Sequence, residues 1–255
     1  GQPYIWCYLG NFGGNTAMRA NTKESLARLE NTFANGGKNL AGVGSTLEGL
    51  DIQQAPFEEI LSAAWNFTAK DYIEIAHSIA DRHYGAPCQA ARKAWEILYN
   101  DVYITHSHSA GTLQCFRGRF GETDSWYYHL DYNPRHLEEA WSWLIKAPEA
   151  TTDAFIIDLV VVGRQVLGNR FLTDRIAFDE SVKNRDLASM RRYATEMKEL
   201  IRDIDAICAC HSHSRLDTWL ATARNLGSTK AESDYYEHDA RNIITTWGGK
   251  GQLND

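Results

Sequence analysis

The chain opens on two short apolar stretches and keeps helical periodicity over most of its remaining length. Tyr4 to Leu9 puts an aromatic or branched residue at nearly every position, the pattern of a strand buried on both faces. Gly10-Asn11-Phe12-Gly13-Gly14-Asn15 forms a glycine loop at its carboxyl end. Leu26, Leu29 and Phe33 recur at helical spacing within Lys23 to Phe33, and Asn35-Gly36-Gly37 stops that helix. Leu40 to Val43 predicts a second buried strand, which Gly42 and Gly44 release into Ser45-Thr46-Leu47-Glu48. Strand, helix, strand is one βαβ unit, so the strands are expected to be parallel with a right-handed crossover. Glu48 then stands at the rim of a sheet, where α/β proteins place their chemistry.

Beyond Glu48 the pattern is helical. Pro56 suits a first helical position, with Phe57, Ile60, Leu61, Ala64 and Trp65 as one apolar stripe. Thr68 and Asp71 predict a capping box for a helix through Tyr84, closed by Gly85. Pro87 opens another, with Ala91, Ala94, Trp95 and Leu98 inward. Val102 to Asp131 has little periodicity and many His, Ser and Gly residues, and predicts a long loop. Asn133-Pro134 opens a helix whose Leu137, Ala140, Trp141 and Leu144 share a face. Helices are expected over Thr152 to Arg170, Asn184 to Cys208 and Leu216 to Leu226. A last one is capped by Thr229 against Glu232 and runs to Trp247. The fold class is therefore mainly α: a short βαβ piece, then an all-helical domain, with the boundary between Phe67 and Pro87.

Composition narrows the function. The 255 residues are 44% hydrophobic, with 8 Trp and 12 Tyr, enough for a sizeable core and for stacking on pyranose faces. A net charge of −7 without a long basic run argues against a nucleic-acid partner. No apolar stretch is long enough to span a membrane; Ala154 to Val162 contains Asp158. Five cysteines in no regular framework argue against a disulfide scaffold. Cys7 has no neighbouring cation to activate it and reads as a packed thiol. Opening directly on a strand of interior character, the chain is expected to be a piece of a longer polypeptide.

Two stretches, Tyr4-Ile5-Trp6-Cys7-Tyr8-Leu9-Gly10-Asn11-Phe12-Gly13-Gly14-Asn15 and Gly42 to Leu50, resemble the α-N-acetylglucosaminidases, glycoside hydrolase family 89. Trp219-Leu220, Asp234-Tyr235-Tyr236-Glu237 and Arg241 through Thr246-Trp247-Gly248 continue the likeness in order and spacing. The resemblance implies the closing part of a (β/α)8 barrel over residues 1–75 and an α-helical C-terminal domain over 76–255. It implies retaining removal of terminal α-linked N-acetylglucosamine from heparan-sulfate or mucin-type glycans, without a cofactor. Glu48 is by resemblance the catalytic nucleophile, Trp6, Asn11 and Trp247 shape the sugar pocket, and Arg241 supports it. Gly10 stands where some relatives carry His. The family's acid/base glutamate precedes the Ile-Trp-Cys strand, and no glutamate here matches it. The chain alone is accordingly expected to be inactive, its partners being the glycan and the N-terminal part of the same enzyme. Family members are lysosomal or exported to the periplasm or outside the cell.

Two other readings stand beside this one. The helices could form a module that binds sugar, or another partner, without cleaving. Cys208, Cys210, His211 and His213 could make a metal-binding protein. Structural zinc sites space their ligand pairs more widely, and ligands this dense hardly converge tetrahedrally, so no metal is expected.

Overall fold

A computed structural model describes residues 1–10, 18, 20–46, 54–65, 71–104, 130, 132–148 and 152–245, leaving aside the side chains of 244 and 245. Asn11, Glu48 and Trp247 lie outside the described residues, as do Thr68 and residues 105–129 and 131 of the expected loop. The chain forms two units, Gly1–Leu200 and Ile201–Asp255.

The first unit begins with β1 (Tyr4–Tyr8), α1 (Thr22–Asn35) and β2 (Leu40–Ser45). The strands pair in parallel, Trp6 opposite Val43 and Tyr8 opposite Ser45, as the βαβ reading requires. Alternation along β1 turns Trp6 and Tyr8 to one face. There Tyr8 joins Leu29 of α1 and Phe57, Ile60 and Ala63 of α2 (Gln54–Ala63) in a small core, with Trp6, Leu26 and Val43 packed against it. The expected burial on both faces is not found: Ile5 is 60% exposed and Cys7 is exposed rather than packed. Two strands with helices on one face leave the other face open to solvent. On α2, Pro56 is the third residue, not the first, and Leu61 and Trp65 are exposed, because Ala55, Phe57, Ile60 and Ala63 make the contact instead.

The larger core joins α3 (Tyr72–Tyr84), α4 (Gln89–Ile97), α5 (Pro134–Lys146) and α6 (Asp153–Lys183). Ala91, Ala94, Trp95, Leu98, Leu137, Ala140 and Leu144 are buried, as their spacing predicts. Local chemistry sets the ends. Asp71 accepts from the Ile73 amide at 3.0 Å, and Gly85 takes φ 88°, open to glycine at little cost. Asn133, ahead of Pro134, accepts from the Arg135 amide, and Thr152 accepts from the Phe155 amide. A π-helical turn over Leu98–Val102 prolongs α4. α6 runs well past Arg170, with Phe171 and Leu172 still buried beyond it. The i,i+4 ion pairs Arg170–Asp174 and Arg175–Asp179 carry it onward, the second of them buried. α7 (Leu187–Cys208) starts in this unit and ends in the next.

In the second unit, Ser212–Ser214 makes one 3₁₀ turn before α8 (Leu216–Arg224) and α9 (Lys230–Thr245). The capping box at α9 is complete: Thr229 Oγ1 accepts from the Glu232 amide, and Glu232 accepts from the amides of Ser228 and Thr229. Arg224 ties α8 to α9 by bonding Asp234 at 2.9 Å and Glu237 at 2.7 Å. Among the described residues no helix is long and apolar enough to cross a membrane.

Candidate functional site

The carboxyl ends of β1 and β2 are where parallel-strand enzymes gather reactive groups, and one side chain organises that edge here. Tyr8, 6% exposed, ends β1. Its carbonyl accepts from the Thr46 amide at 3.0 Å, which fixes the chain as it leaves β2, two residues before Glu48. Its hydroxyl donates to the Ala20 carbonyl at 2.8 Å, fixing the far end of the β1–α1 connection. Its ring meets the edge of Phe57 with centroids 4.9 Å apart. Gly10 fits this corner because it has no side chain: a Cβ there would come within 2.7 Å of both the Tyr8 and Phe57 rings.

The same connection is held from the helical side. The Met18 amide donates to Gln165 Oε1 at 3.2 Å, Gln165 Nε2 to Asn169 Oδ1 at 2.9 Å, and Asn169 Nδ2 to the Tyr132 hydroxyl at 3.0 Å. All four residues are buried, and burial pushes the Tyr132 hydroxyl up to about 12. Thr22 donates its amide to the Tyr103 carbonyl at 3.1 Å, a further bond between α1 and the helical layer. Asn21, in the left-handed region at φ 49°, turns the chain into α1 and bonds Glu24.

A buried polar cluster lies between α3, α4 and α6. Asp158 Oδ2 is 2.9 Å from His83 Nδ1 and accepts from Trp95 Nε1 at 3.2 Å. The Thr152 hydroxyl holds the His83 carbonyl, while His83 Nε2 is buried without a hydrogen-bond partner. Burial opposes charge on His83, but the hydrogen bond and charge of Asp158, with Glu58 of α2 adding, outweigh it. His83 therefore titrates above its ordinary 6.5. Burial also raises the Asp158 carboxyl, against the pull of His83 and Trp95. The couple thus holds one proton tightly.

Of the residues predicted for the site, two fall within the described part. Trp6 is half-buried on the face packed by α1 and α2, beside Leu26 and Val43. Arg241, on the exposed side of α9, bonds Glu237 at 2.7 Å and through it shares the Arg224 network. These hydrogen bonds, from Arg241 first and then Arg224, lower the Glu237 carboxyl. Trp6 and Arg241 belong to different units. Among the described residues no group of three or more His, Cys, Asp or Glu could hold a metal ion. Sequence reasoning missed Tyr8 and Gln165. Tyr8 looked like one more aromatic in a buried strand, and Gln165 gave no signal beyond a polar residue within an otherwise apolar stretch of α6.

Solved structures place this arrangement in a known architecture. A family 89 glycoside hydrolase from Clostridium perfringens, in complex with 2-acetamido-1,2-dideoxynojirmycin, superposes with a TM-score of 0.88 at 22% identity. It matches 99% of this chain and 30% of its own. A variant of the Clostridium perfringens enzyme, with two glutamates replaced by glutamine and its substrate GlcNAc-alpha-1,4-galactose bound, gives 0.87 at 21% identity over the same shares. The fold is thus a piece of a (β/α)8 barrel followed by a helical domain.

The sequence makes the assignment closer. The alpha-N-acetylglucosaminidase (NAGLU) tim-barrel domain model matches residues 1–67 and the C-terminal domain model residues 75–255. The chain belongs to the α-N-acetylglucosaminidase family of glycoside hydrolases. It is 30% identical to human alpha-N-acetylglucosaminidase over 269 aligned residues, all of this chain and 35% of that protein. The chain spans about a third of that relative's length.

Proposed function

We propose that this chain is the closing barrel segment, residues 1–75, and the helical domain, residues 76–255, of a retaining exo-α-N-acetylglucosaminidase. Glu48 is the nucleophile. Its carboxylate attacks the anomeric carbon of a terminal α-linked N-acetylglucosamine while a second carboxyl, about 5–5.5 Å away, protonates the departing glycosidic oxygen. The glycosyl–Glu48 ester is then opened by water, which gives its proton to that second carboxylate, so the sugar leaves with its configuration retained. Asn11 and Trp247 line the sugar pocket. Trp6 shapes it from the packed face of β1, by fixing where the strand ends. Arg241 supports it by holding, within α9, the Glu237 carboxylate that Arg224 of α8 also bonds. The glycan is of the heparan-sulfate or mucin type, and the compartment is lysosomal or exported.

The observation that supports this reading is the Thr46–Tyr8 bond, which fixes the end of β2 two residues ahead of Glu48 in the sequence, in a chain of this family. No glutamate of these 255 residues takes the place of the acid/base partner, so hydrolysis requires the rest of the enzyme. The test is hydrolysis of an aryl α-N-acetylglucosaminide. The complete polypeptide carrying this sequence is expected to cleave it with retention, its Glu48→Gln variant to lose at least about a thousand-fold in kcat, and the 255 residues alone to be inert. Turnover by the 255 residues alone, or a fully active Glu48→Gln enzyme, refutes the proposal.

A further inference from the structure

The long helix α6 carries polar side chains on a buried face, and one set of them reaches the βαβ piece. Gln165 is 3% exposed and Asn169 5%. They sit four residues apart, one turn of the same face. A helix meant only to fill a core would carry leucine there, since buried amides cost free energy unless every donor and acceptor is matched. Here the match is made partly within α6 and, at both ends of the chain of bonds, outside it. Gln165 accepts from the backbone of Met18, donates to Asn169, and Asn169 donates to Tyr132.

Met18 follows Asn11 in the connection from β1 to α1. Three bonds hold the described end of that connection: Met18 to Gln165, Ala20 to Tyr8 and Thr22 to Tyr103. Two come from the backbone or from a neighbouring strand. Among the described residues, the Gln165 bond is the one made by a helical-domain side chain, 147 residues distant in sequence. The orientation is set by chemistry: the Met18 amide requires an acceptor, so Gln165 turns its carbonyl toward Met18 and its NH₂ toward Asn169. Each link fixes the next, and a chain of satisfied buried hydrogen bonds has one geometry.

We propose that Gln165 is a positioning residue for the glycosidase pocket, holding from the helical domain the return of the β1–α1 connection that carries Asn11. This rests on the proposed function above, which puts Asn11 against the sugar. Gln165 touches no substrate and acts through the Met18 amide. Its loss weakens sugar binding in ground state and transition state alike, and so appears in KM more than in kcat.

The test uses the complete polypeptide carrying these residues, an aryl α-N-acetylglucosaminide, and thermal unfolding in parallel. Gln165→Leu, which has no acceptor, is expected to raise KM at least ten-fold with kcat changed less than three-fold. Gln165→Glu, whose carboxyl once protonated both accepts from Met18 and donates to Asn169, is expected to recover most of that loss in acid. Asn169→Ala, which leaves Gln165 in place but removes its orienting partner, is expected to move KM the same way by a smaller factor, and serves if Gln165→Leu does not fold. Wild-type KM in Gln165→Leu or Asn169→Ala, with only the melting temperature lowered, overturns the inference, as does a Gln165→Glu enzyme no better in acid than Gln165→Leu. A wild-type polypeptide inert toward the substrate overturns the proposed function itself, and this inference with it.

Discussion

The βαβ piece and the helical bundle use the same kinds of side chain to opposite effect. In the bundle, Leu98, Leu137 and Leu144 are at most 1% exposed, and Trp95 and Tyr99 nearly as covered. Each helix finds its apolar face met by another within the same unit. In β1 only Tyr8 is buried, while Tyr4, Ile5 and Cys7 are exposed and Trp6 is half-covered. The difference lies in geometry rather than composition. A helix has one apolar stripe, and a few neighbours satisfy it; a parallel strand has two faces and two edges. Four packed helices close a core, and two strands with two helices close half of one. The bundle should therefore carry the stability of this chain, and the sheet should be the part whose residues matter mainly in company.

The largest effect expected from breaking that contrast is at Asp158. Asp158→Ala strands His83 in the bundle interior, and removing one partner of a buried pair costs about 3–5 kcal/mol, measured by urea unfolding near neutral pH. The pH dependence gives a sharper signature. His83 titrates above its unfolded value of 6.5, so its stabilisation is complete below pH 6.5 and is lost as pH rises through the raised folded value. The raised Asp158 carboxyl acts in the same direction, favouring the folded state in acid. The groups facing His83 are Asp158 from α6, Glu58 from α2 and Arg82 on its own helix, and only Arg82 opposes the charge. Stability of the wild-type chain should fall above pH 6.5. In Asp158→Ala, burial dominates at His83 and the slope above pH 5 should reverse. An unchanged slope would mean that the couple does not govern the acid preference of the bundle.

Next in size is Leu137→Ala, at a position with no exposure, expected to cost about 3 kcal/mol by loss of burial and the cavity left behind. Gly10→Ala tests the other region where it is most tightly packed. Its Cβ would press on two buried aromatic rings, Tyr8 and Phe57, and overpacking of this kind costs about 1–3 kcal/mol. The value should fall below that for Leu137→Ala, because the small core beneath the sheet has fewer side chains that must move. If Gly10→Ala were the more damaging of the two, the sheet would be the better-ordered region and the contrast would be inverted.

How far the sequence announced all this follows the same divide. Helix faces were legible because 3.6-residue periodicity is set by the chain itself: Ala91, Ala94, Trp95 and Leu98 were placed inward and lie there. The helix ends at Gly85, Asn133 and Thr229 were legible for the same reason, being local hydrogen-bond chemistry. The parallel pairing of β1 with β2 followed from one βαβ unit. What escaped was set by contacts distant in sequence. The burial of Ile5 and Cys7 depends on what lies across the sheet, and α6 continues beyond Arg170 on buried Phe171 and Leu172 together with the ion pairs Arg170–Asp174 and Arg175–Asp179. The bond from Gln165 to Met18 joins residues that no local pattern connects. Of the site itself, the strand ends around Tyr8 are on view. The assignment of Glu48, Asn11 and Trp247 rests on family resemblance.

The smallest change addresses the open face directly. Ile5→Ser in the 255-residue chain should alter stability by no more than about 0.5 kcal/mol, since a side chain 60% exposed loses little burial. On the proposed function, that face is covered by the remaining strands of a barrel in the complete polypeptide. There the same substitution removes a buried isoleucine and should cost about 1.5–3 kcal/mol. The two values together form the measurement: urea midpoints for Ile5→Ser and wild type, in the chain and in the complete polypeptide. A cost that appears only in the longer protein means that β1 meets its second neighbour there. Equal small costs in both would mean that the Ile5 face stays in water even in the whole enzyme, and a barrel closed around Glu48 would then be the wrong picture of this sheet.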